Sequence, residues 1–461
     1  MRSRASIGPG GACVATNEQI RIGVGAGFAD DRVAPARDLA ERGQLDYLVF
    51  ECLAERTIAR ETLTRLSHPD LGYTPNLIDR LAAVLPVCVA RGTRIVTNMG
   101  AANPRQARLA VRQWCQANQV SLGPIGVVEG DDVLAVLRAH PELRLMECGT
   151  PVEALLPDVV AANAYLGAAP LADALGQGAA MVITGRVADP ALFVACMMDG
   201  LGWRYDDYPL IGAGTFAGHL LECGAQVSGG CFADPGVKEV PDLAHVGMPY
   251  VDVHRDGRME LGKVDGTGGR LDAATCTEQA LYEIHDPHAY VTADCVLDIA
   301  QARFEEIGRD RVAVSGVRAR PRTDSYKVSV GYRAGWMGEG EIAYAGPNAF
   351  ARARLAGEIV KLRLQEAAHV FEDLRVDLIG HTALHGEHGQ AQGAYEVRLR
   401  VCGRSLHKEA ARAVGVEVKT LNLNGPAGSG GSASTLREVI GVKSVLMPRH
   451  WVHPHVTMER L

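Results

Sequence analysis

Over the first 200 residues short apolar runs alternate with longer segments of helical period. The runs IRIGVGA, LDYLVF, RIVTN, GPIGVV and AMVITG have the apolar and β-branched density of buried strands. Between them DRVAPARDLAERG, PNLIDRLAAVLPVCVARG and NPRQARLAVRQWCQANQ read as helices. Strand–helix alternation predicts an α/β fold, a mostly parallel sheet with flanking helices. Ligands in such folds bind beyond the carboxyl ends of the strands. Asp30, Arg32, Glu51, Asn98, Thr184 and Arg186 fall at those ends.

Residues 200 to 300 have weak periodicity and many glycines. They are expected as long loops folded over the sheet's carboxyl edge, ending in a helix near 275 to 284. Beyond 310 the pattern reads as antiparallel strands around a glycine turn, then a helix from Pro347 to about His369. Two strands and a short helix around 406 to 414 follow. The predicted organisation is a flexible leader over 1–19 and an α/β domain over 20–310 carrying glycine-rich active-site loops. A smaller C-terminal α+β domain takes 311–461.

Composition narrows the classes. With 461 residues, 47% hydrophobic, the chain has enough apolar surface for a substantial core. A net charge of −7 without a long basic run argues against nucleic acid or an anionic membrane as partner. No apolar run approaches the roughly 20 residues of a membrane span. The N-terminus has no apolar core of a secretory signal. Eleven cysteines, none in a C-x-x-C pair, fit free thiols in a reducing, cytoplasmic setting.

The densest chemistry lies between 212 and 290, where glycines are interleaved with ionisable side chains. His219 and Glu222 are three apart, on one face if helical. They form either an acid–base couple or polar caps on a glycine loop. Lys263 precedes DGTGG, so no Walker motif is present, but an ammonium beside backbone N–H groups suits a carboxylate, phosphate or thioester oxygen. Gly229 and Gly230, and Gly268 and Gly269, are the turn glycines expected to border a ligand. Tyr282, Glu283 and Asp286 precede Pro287, which ends the helix. A partly desolvated Glu283 would serve as a general base, while Asp286 fits a local turn before Pro287 better than a site role. Arg186 in ITGRVADP either clamps a substrate carboxylate or pairs structurally with Asp189.

Other motifs carry less. RIGVGAGF holds Gly23, Gly25 and Gly27 but lacks the full dinucleotide pattern. His381, His385 and His388, and His450, His453 and His455, have no helical context for a metal site. GPAGSGG at 425–431 is a linker or a phosphate cradle, with a helix expected to follow at TLREVI. The residues therefore require no cofactor and no metal.

GHLLECGAQVSGG, KVDGTGG, EQALYEIHDPHAY and SGVRARPRTDSYKV resemble the signature runs of the acyclic terpene utilisation family. RIGVGAGFADDR, LDYLVFECLAERT, TNMGAANP, ANAYLG and ITGRVADPAL extend the resemblance through the N-terminal half. It covers roughly 20 to 330 and is weaker beyond, where GPAGSGG and LMPRHWV remain. The family's members accompany acyl-CoA carboxylases, dehydrogenases and hydratases. The resemblance thus implies a metabolic enzyme of carboxylic acids or their CoA thioesters.

The resulting expectation is a cofactor-independent lyase, hydratase or isomerase acting on a branched or unsaturated acid or its CoA thioester. Glu283 or Glu222 moves a proton next to the carbonyl, and His219 is the second acid or base. Lys263, Asn98 and glycine-loop amides stabilise an enolate-like oxygen. Arg186, Asp189 and Tyr282 help to hold the substrate. The alternative is a non-catalytic assembly or regulatory partner of an acyl-CoA carboxylase, and a weaker third option is a redox enzyme reading NAD through the first glycine run. Expected partners are a small carboxylate or CoA thioester and further copies of the chain, with no nucleic acid and no membrane.

Overall fold

The computed structural model describes residues 17–386 and 394–459. The expected leader lies, up to residue 16, outside the described residues. The chain forms two units, one running up to Gly331 and resuming at Val442, the other Tyr332–Gly441.

The first unit opens with β1 (Gln19–Ala26), α1 (Ala34–Arg42), β2 (Tyr47–Phe50), α2 (Glu55–Ser67), α3 (Leu77–Arg91), β3 (Arg94–Thr97), α4 (Pro104–Ala117) and β4 (Ile125–Glu129). It continues through α5 (Leu134–Ala139), β5 (Val159–Ala164), α6 (Ala169–Gly176), β6 (Met181–Thr184), α7 (Ala191–Leu201), α8 (Tyr208–Glu222), β7 (Pro249–His254) and β8 (Met259–Lys263). Next come α9 (Ala273–Leu281), β9 (Tyr290–Val291), β10 (Cys295–Asp298), β11 (Arg303–Gly308), β12 (Arg311–Ser315) and β13 (Arg318–Pro321). The chain leaves this unit within β14 (Ser325–Ala345). α10 (Ala349–Glu366), β15 (Asp373–Ile379), β16 (Glu396–Ser405) and α11 (Lys408–Asn424) follow. It returns within β17 (Ser429–Pro448) and ends on β18 (His455–Glu459).

The large sheet is mixed, which corrects the expectation of a mostly parallel sheet with flanking helices. Its order is β11-β12-β8-β7-β1-β2-β3-β6-β4-β18. β1, β2, β3, β6 and β4 run parallel, but five of the nine neighbouring pairs are antiparallel. A separate antiparallel sheet has the order β13-β10-β9. The parallel strands are buried on both faces and read as near-continuous apolar runs, hence their prominence in the sequence. The antiparallel strands were masked by the glycines around them. β7 and β8 form a hairpin whose turn contains Asp256 and Gly257, the latter at φ +90°.

Glycines misled a second time in α8, expected as a loop. Gly212, Gly214 and Gly218 sit inside this 15-residue helix, where they allow close packing. A Cβ at Gly212 would lie 2.4 Å from Ala319 Cβ, and one at Gly218 would lie 2.8 Å from Pro190 Cα. The helical cost of glycine, about 1 kcal/mol each relative to alanine, is offset by this contact with neighbouring elements.

The units also divide elsewhere than at 310/311. Arg311–Ser315 and His455–Glu459 are strands of the large sheet, so that sheet recruits chain from well beyond 310. In the second unit α10 and α11 pack on the sheet containing β15, β16 and β14, around Val360, Val401 and Val418. TLREVI is part of β17 and not a helix, so GPAGSGG lies at no helix N-terminus.

Candidate functional site

Three strand ends place polar groups in the first unit's interior. Glu51 follows β2, and its Oε1 accepts from the Leu53 N–H and the Asn98 amide, both at 2.9 Å. Asn98, after β3, accepts in turn from the Cys52 N–H at 2.8 Å. Both ends of its amide are thereby committed. Burial raises the Glu51 pKa, and the Arg186 charge and these hydrogen bonds pull against it. The nearby Glu222 charge raises it further.

Arg186 follows β6 and is fully buried. Its Nε donates to Val187 O at 2.8 Å, and its terminal nitrogens reach Leu53 O and Asp189. Its backbone N–H donates to Asp131 at 2.9 Å. Burial pushes the Asp131 carboxyl up to about 6 against this hydrogen bond and one from Asn163. The guanidinium carbon lies 4.5 Å from the centre of the Tyr165 ring.

His219 and Glu222 lie on one face of α8 and are buried, with His219 Nδ1 2.9 Å from Glu222 Oε1. Burial disfavours the charged ring, but the Glu222 hydrogen bond and charge outweigh it, so the His219 pKa is raised. The carbonyls of Ala280 and Gln279 favour the charged ring without meeting Nε2 in hydrogen-bond geometry. Glu222 Oε2 and Gln279 Oε1 are buried and also lack a hydrogen-bond partner among the described residues. Buried polar atoms are rarely left so. The His219 ring lies 5.3 Å from that of Tyr290.

Tyr290 is the link to a cavity of about 240 Å³, whose wall also includes Glu55, Tyr165, Asp189, Glu283 and Lys327. The Tyr165 hydroxyl donates to Glu55, and Lys327 Nζ stands 3.4 Å from the same carboxylate. Burial pushes the Glu55 pKa up, but the Tyr165 hydrogen bond, its own backbone and the Arg186 and Lys327 charges bring it down to about 2. Glu55 is therefore a fixed anion. Lys327, its ammonium 4.9 Å from the Tyr165 ring centre, keeps donors to spare. Glu283 lies just past the end of α9 at φ 60°, a left-handed conformation that costs a non-glycine residue roughly 1–2 kcal/mol. Its side chain is exposed, and not partly buried as the sequence led one to expect.

The model of the acyclic terpene utilisation family protein AtuA matches residues 20–458. The chain belongs to this family. It is thereby linked to the breakdown of acyclic terpenes, a metabolic role. Comparisons with curated proteins and with solved structures gave no match. In this AtuA family member the motif runs converge on the cavity: ECLAERT brings Glu55, ANAYLG Tyr165, ITGRVADPAL Asp189, EIHDPHAY Glu283 and Tyr290, and RPRTDSYKV Lys327.

Other expected site residues lie apart from that wall. Lys263 is buried in an ion pair with Asp310 at 3.1 Å and donates to Thr267 O at 2.9 Å. The amides of Gly229, Gly230, Gly268 and Gly269 donate to Gln226, Ala225, His245 and Pro241 carbonyls. Those amides close loop on loop, so none is free for an oxyanion. Tyr282 is 40% exposed beside Glu283. The first glycine run is also filled: a Cβ at Gly25 would meet the Phe50 ring, and one at Gly27 the Cys223 carbonyl carbon, each at 2.3 Å. α1 starts only at Ala34, so the run opens no helix and leaves no berth for a pyrophosphate.

His388 lies outside the described residues. Among the described residues no group of three or more His, Cys, Asp or Glu is placed to hold a metal. No helix among them is long and apolar enough to cross a membrane. Glu55, Tyr165, Tyr290 and Lys327 were not singled out by sequence reasoning. Each sits in a run that carries the family resemblance, which is the one signal that marks them.

Proposed function

We propose that this AtuA family protein is an enzyme that moves a proton next to the carbonyl of a branched or unsaturated carboxylic acid or its CoA thioester. The observation that carries the reading is the cavity wall itself. It pairs a cation with spare donors, Lys327, with an exposed carboxylate, Glu283, and is backed by the buried His219–Glu222 couple behind Tyr290. Lys327 takes the carboxylate or thioester oxygen and stabilises the charge that develops on it. Glu55 and Tyr165 hold Lys327 in place. Glu283 removes the proton, and His219 with Glu222 supplies or stores the second one through the Tyr290 side of the wall.

The volume supports a small acyl group. At about 240 Å³ the cavity is below the usual range of 300–1,000 Å³ for drug-sized ligands, so a nucleotide tail stays outside. A non-catalytic carboxylase partner needs no cavity at these residues, so the cavity beside Glu283 also favours an enzyme.

The test is solvent exchange. The purified protein is incubated in D2O with a panel of short branched and unsaturated acids and their CoA thioesters, followed by NMR and mass spectrometry. The expected result is deuterium wash-in beside the carbonyl, or net hydration or isomerisation, for at least one compound, abolished in Lys327→Met. No exchange and no conversion across the panel would overturn the reading.

A further inference from the structure

Away from the cavity, β11, β12 and β13 border a shallow pocket of about 340 Å³ containing Arg303, Ser315, Gly316 and Arg318. No carboxylate lines it. Arg303 and Arg318 are exposed, and neither guanidinium has a hydrogen-bond or ion-pair partner among the described residues. Exposed Arg56, Arg91 and Arg138 are likewise uncommitted, whereas Arg186, Arg311 and Arg449 are held by carboxylates or carbonyls, and of the uncommitted arginines Arg303 and Arg318 are the two that share a pocket. Two carboxylates are neighbours by register: Asp298, opposite Arg318 across the β10–β13 pair, and Glu305, two residues from Arg303. Asp298 already serves His288 at 3.5 Å and the Ala300 N–H at 3.1 Å.

The sheet order β13-β10-β9 ties this pocket to the cavity. In register, Arg320 on β13 faces Val296 on β10, and Val296 faces Val291 on β9, which lines the cavity. Ala319, Leu297 and Tyr290 form the adjacent row. Ala319 and Leu297 pack toward Gly212 of α8, so alternation turns Arg318, Arg320 and Val291 to the opposite face. Two strand spacings put the Arg320 backbone about 10 Å from that of Val291, and Arg318 lies one pair of residues further along. An extended pantetheine arm spans that separation.

We infer that Arg303 and Arg318, with Arg320 between them and the cavity, bind the phosphates of a nucleotide-bearing thioester, so that the substrate is a CoA thioester and not the free acid. This rests on the proposed function, in which the acyl group enters the cavity. Two unpaired guanidiniums offer forked donors to phosphate oxygens. The cavity is too small for the nucleotide, and this row of arginines is where such a tail is met by positive charge.

The experiment measures binding by calorimetry to the native protein and to Arg303→Ala/Arg318→Ala, with CoA, adenosine 3′,5′-bisphosphate, inorganic phosphate and a short branched free acid. Expected is binding of CoA and the bisphosphate that weakens as salt is raised and is at least tenfold weaker in the double variant, with the free acid unaffected. Equal CoA affinity in both proteins, or no CoA binding to the native one, overturns the inference and marks two solvated arginines only. Binding of inorganic phosphate as tightly as CoA overturns it too, since the site then reads a lone anion. Free-acid binding together with absent CoA binding leaves the proposed function standing. Deuterium exchange failing on every compound while CoA still binds strikes that function and not the arginine site.

Discussion

The Arg186 guanidinium stacks 4.5 Å from the centre of the Tyr165 ring while its nitrogens hold Leu53 O, Val187 O and Asp189. One buried cation thus joins the loop after β2, the loop after β6 and the cavity wall. Its charge also draws down both Glu51 and Glu55.

Arg186→Lys keeps the charge but loses the fork. A single ammonium reaches one or two of the three oxygens, and buried acceptors are left without donors. Each buried acceptor left without a donor costs about 1–3 kcal/mol, while the retained charge still pairs with the half-exposed Asp189. Urea unfolding reports it, and a loss under about 1 kcal/mol would show that the network is dispensable.

Stability should fall with rising pH through the His219 titration. Its folded pKa is raised above the ordinary 6.5, so the stabilisation is fully present below about 6.5 and is lost as pH climbs through the folded value. Glu222→Gln removes the hydrogen bond and charge that raise it. The difference in unfolding free energy between native protein and variant should shrink from pH 6 to pH 9. A difference that stays constant would mean that His219 does not titrate in that window.

Gly218→Ala tests whether the helix glycines serve packing. The added methyl meets Pro190 atoms at 2.8–2.9 Å, backbone included, which cannot swing aside. Overpacking of this kind costs about 1–3 kcal/mol, against a helical gain of about 1 kcal/mol. A net destabilisation in thermal melts is expected, and a stabilised variant would mean that α8 shifts freely.

Glu283→Gln should leave the fold nearly untouched, because the side chain is exposed. Surface changes of this kind stay within about 0.5 kcal/mol. Turnover should fall by about 10² to 10⁴ if the carboxylate is the base. Parallel melting and exchange-rate measurements decide the matter, and near-native turnover would pass the role to Asp189.

The parallel strands were legible because burial on both faces writes an unbroken apolar run. α8 and the β7–β8 hairpin were not, because glycine reads as a turn whether it bends the chain or admits a neighbour. Gly257 does the first and Gly218 the second, and only the partner, Pro190, tells them apart. The pairing of His219 with Glu222 was open to a spacing argument, since three residues along a helix bring them together. The Glu55–Tyr165–Lys327 wall was not. Its members stand 110 and 272 residues apart in their contacts with Glu55, a distance that no local pattern spans.

Gly218 adjoins His219, and Pro190 adjoins Asp189. The tight seat of one backbone on the other therefore gauges how deep the His219–Glu222 pair sits behind the cavity. Reshaping the cavity at Pro190 would drag the histidine with it. Under the proposed function, substrate size and proton chemistry are geared together, and a variant library that varies Pro190 and Gly218 jointly should yield active members where libraries at either position alone do not.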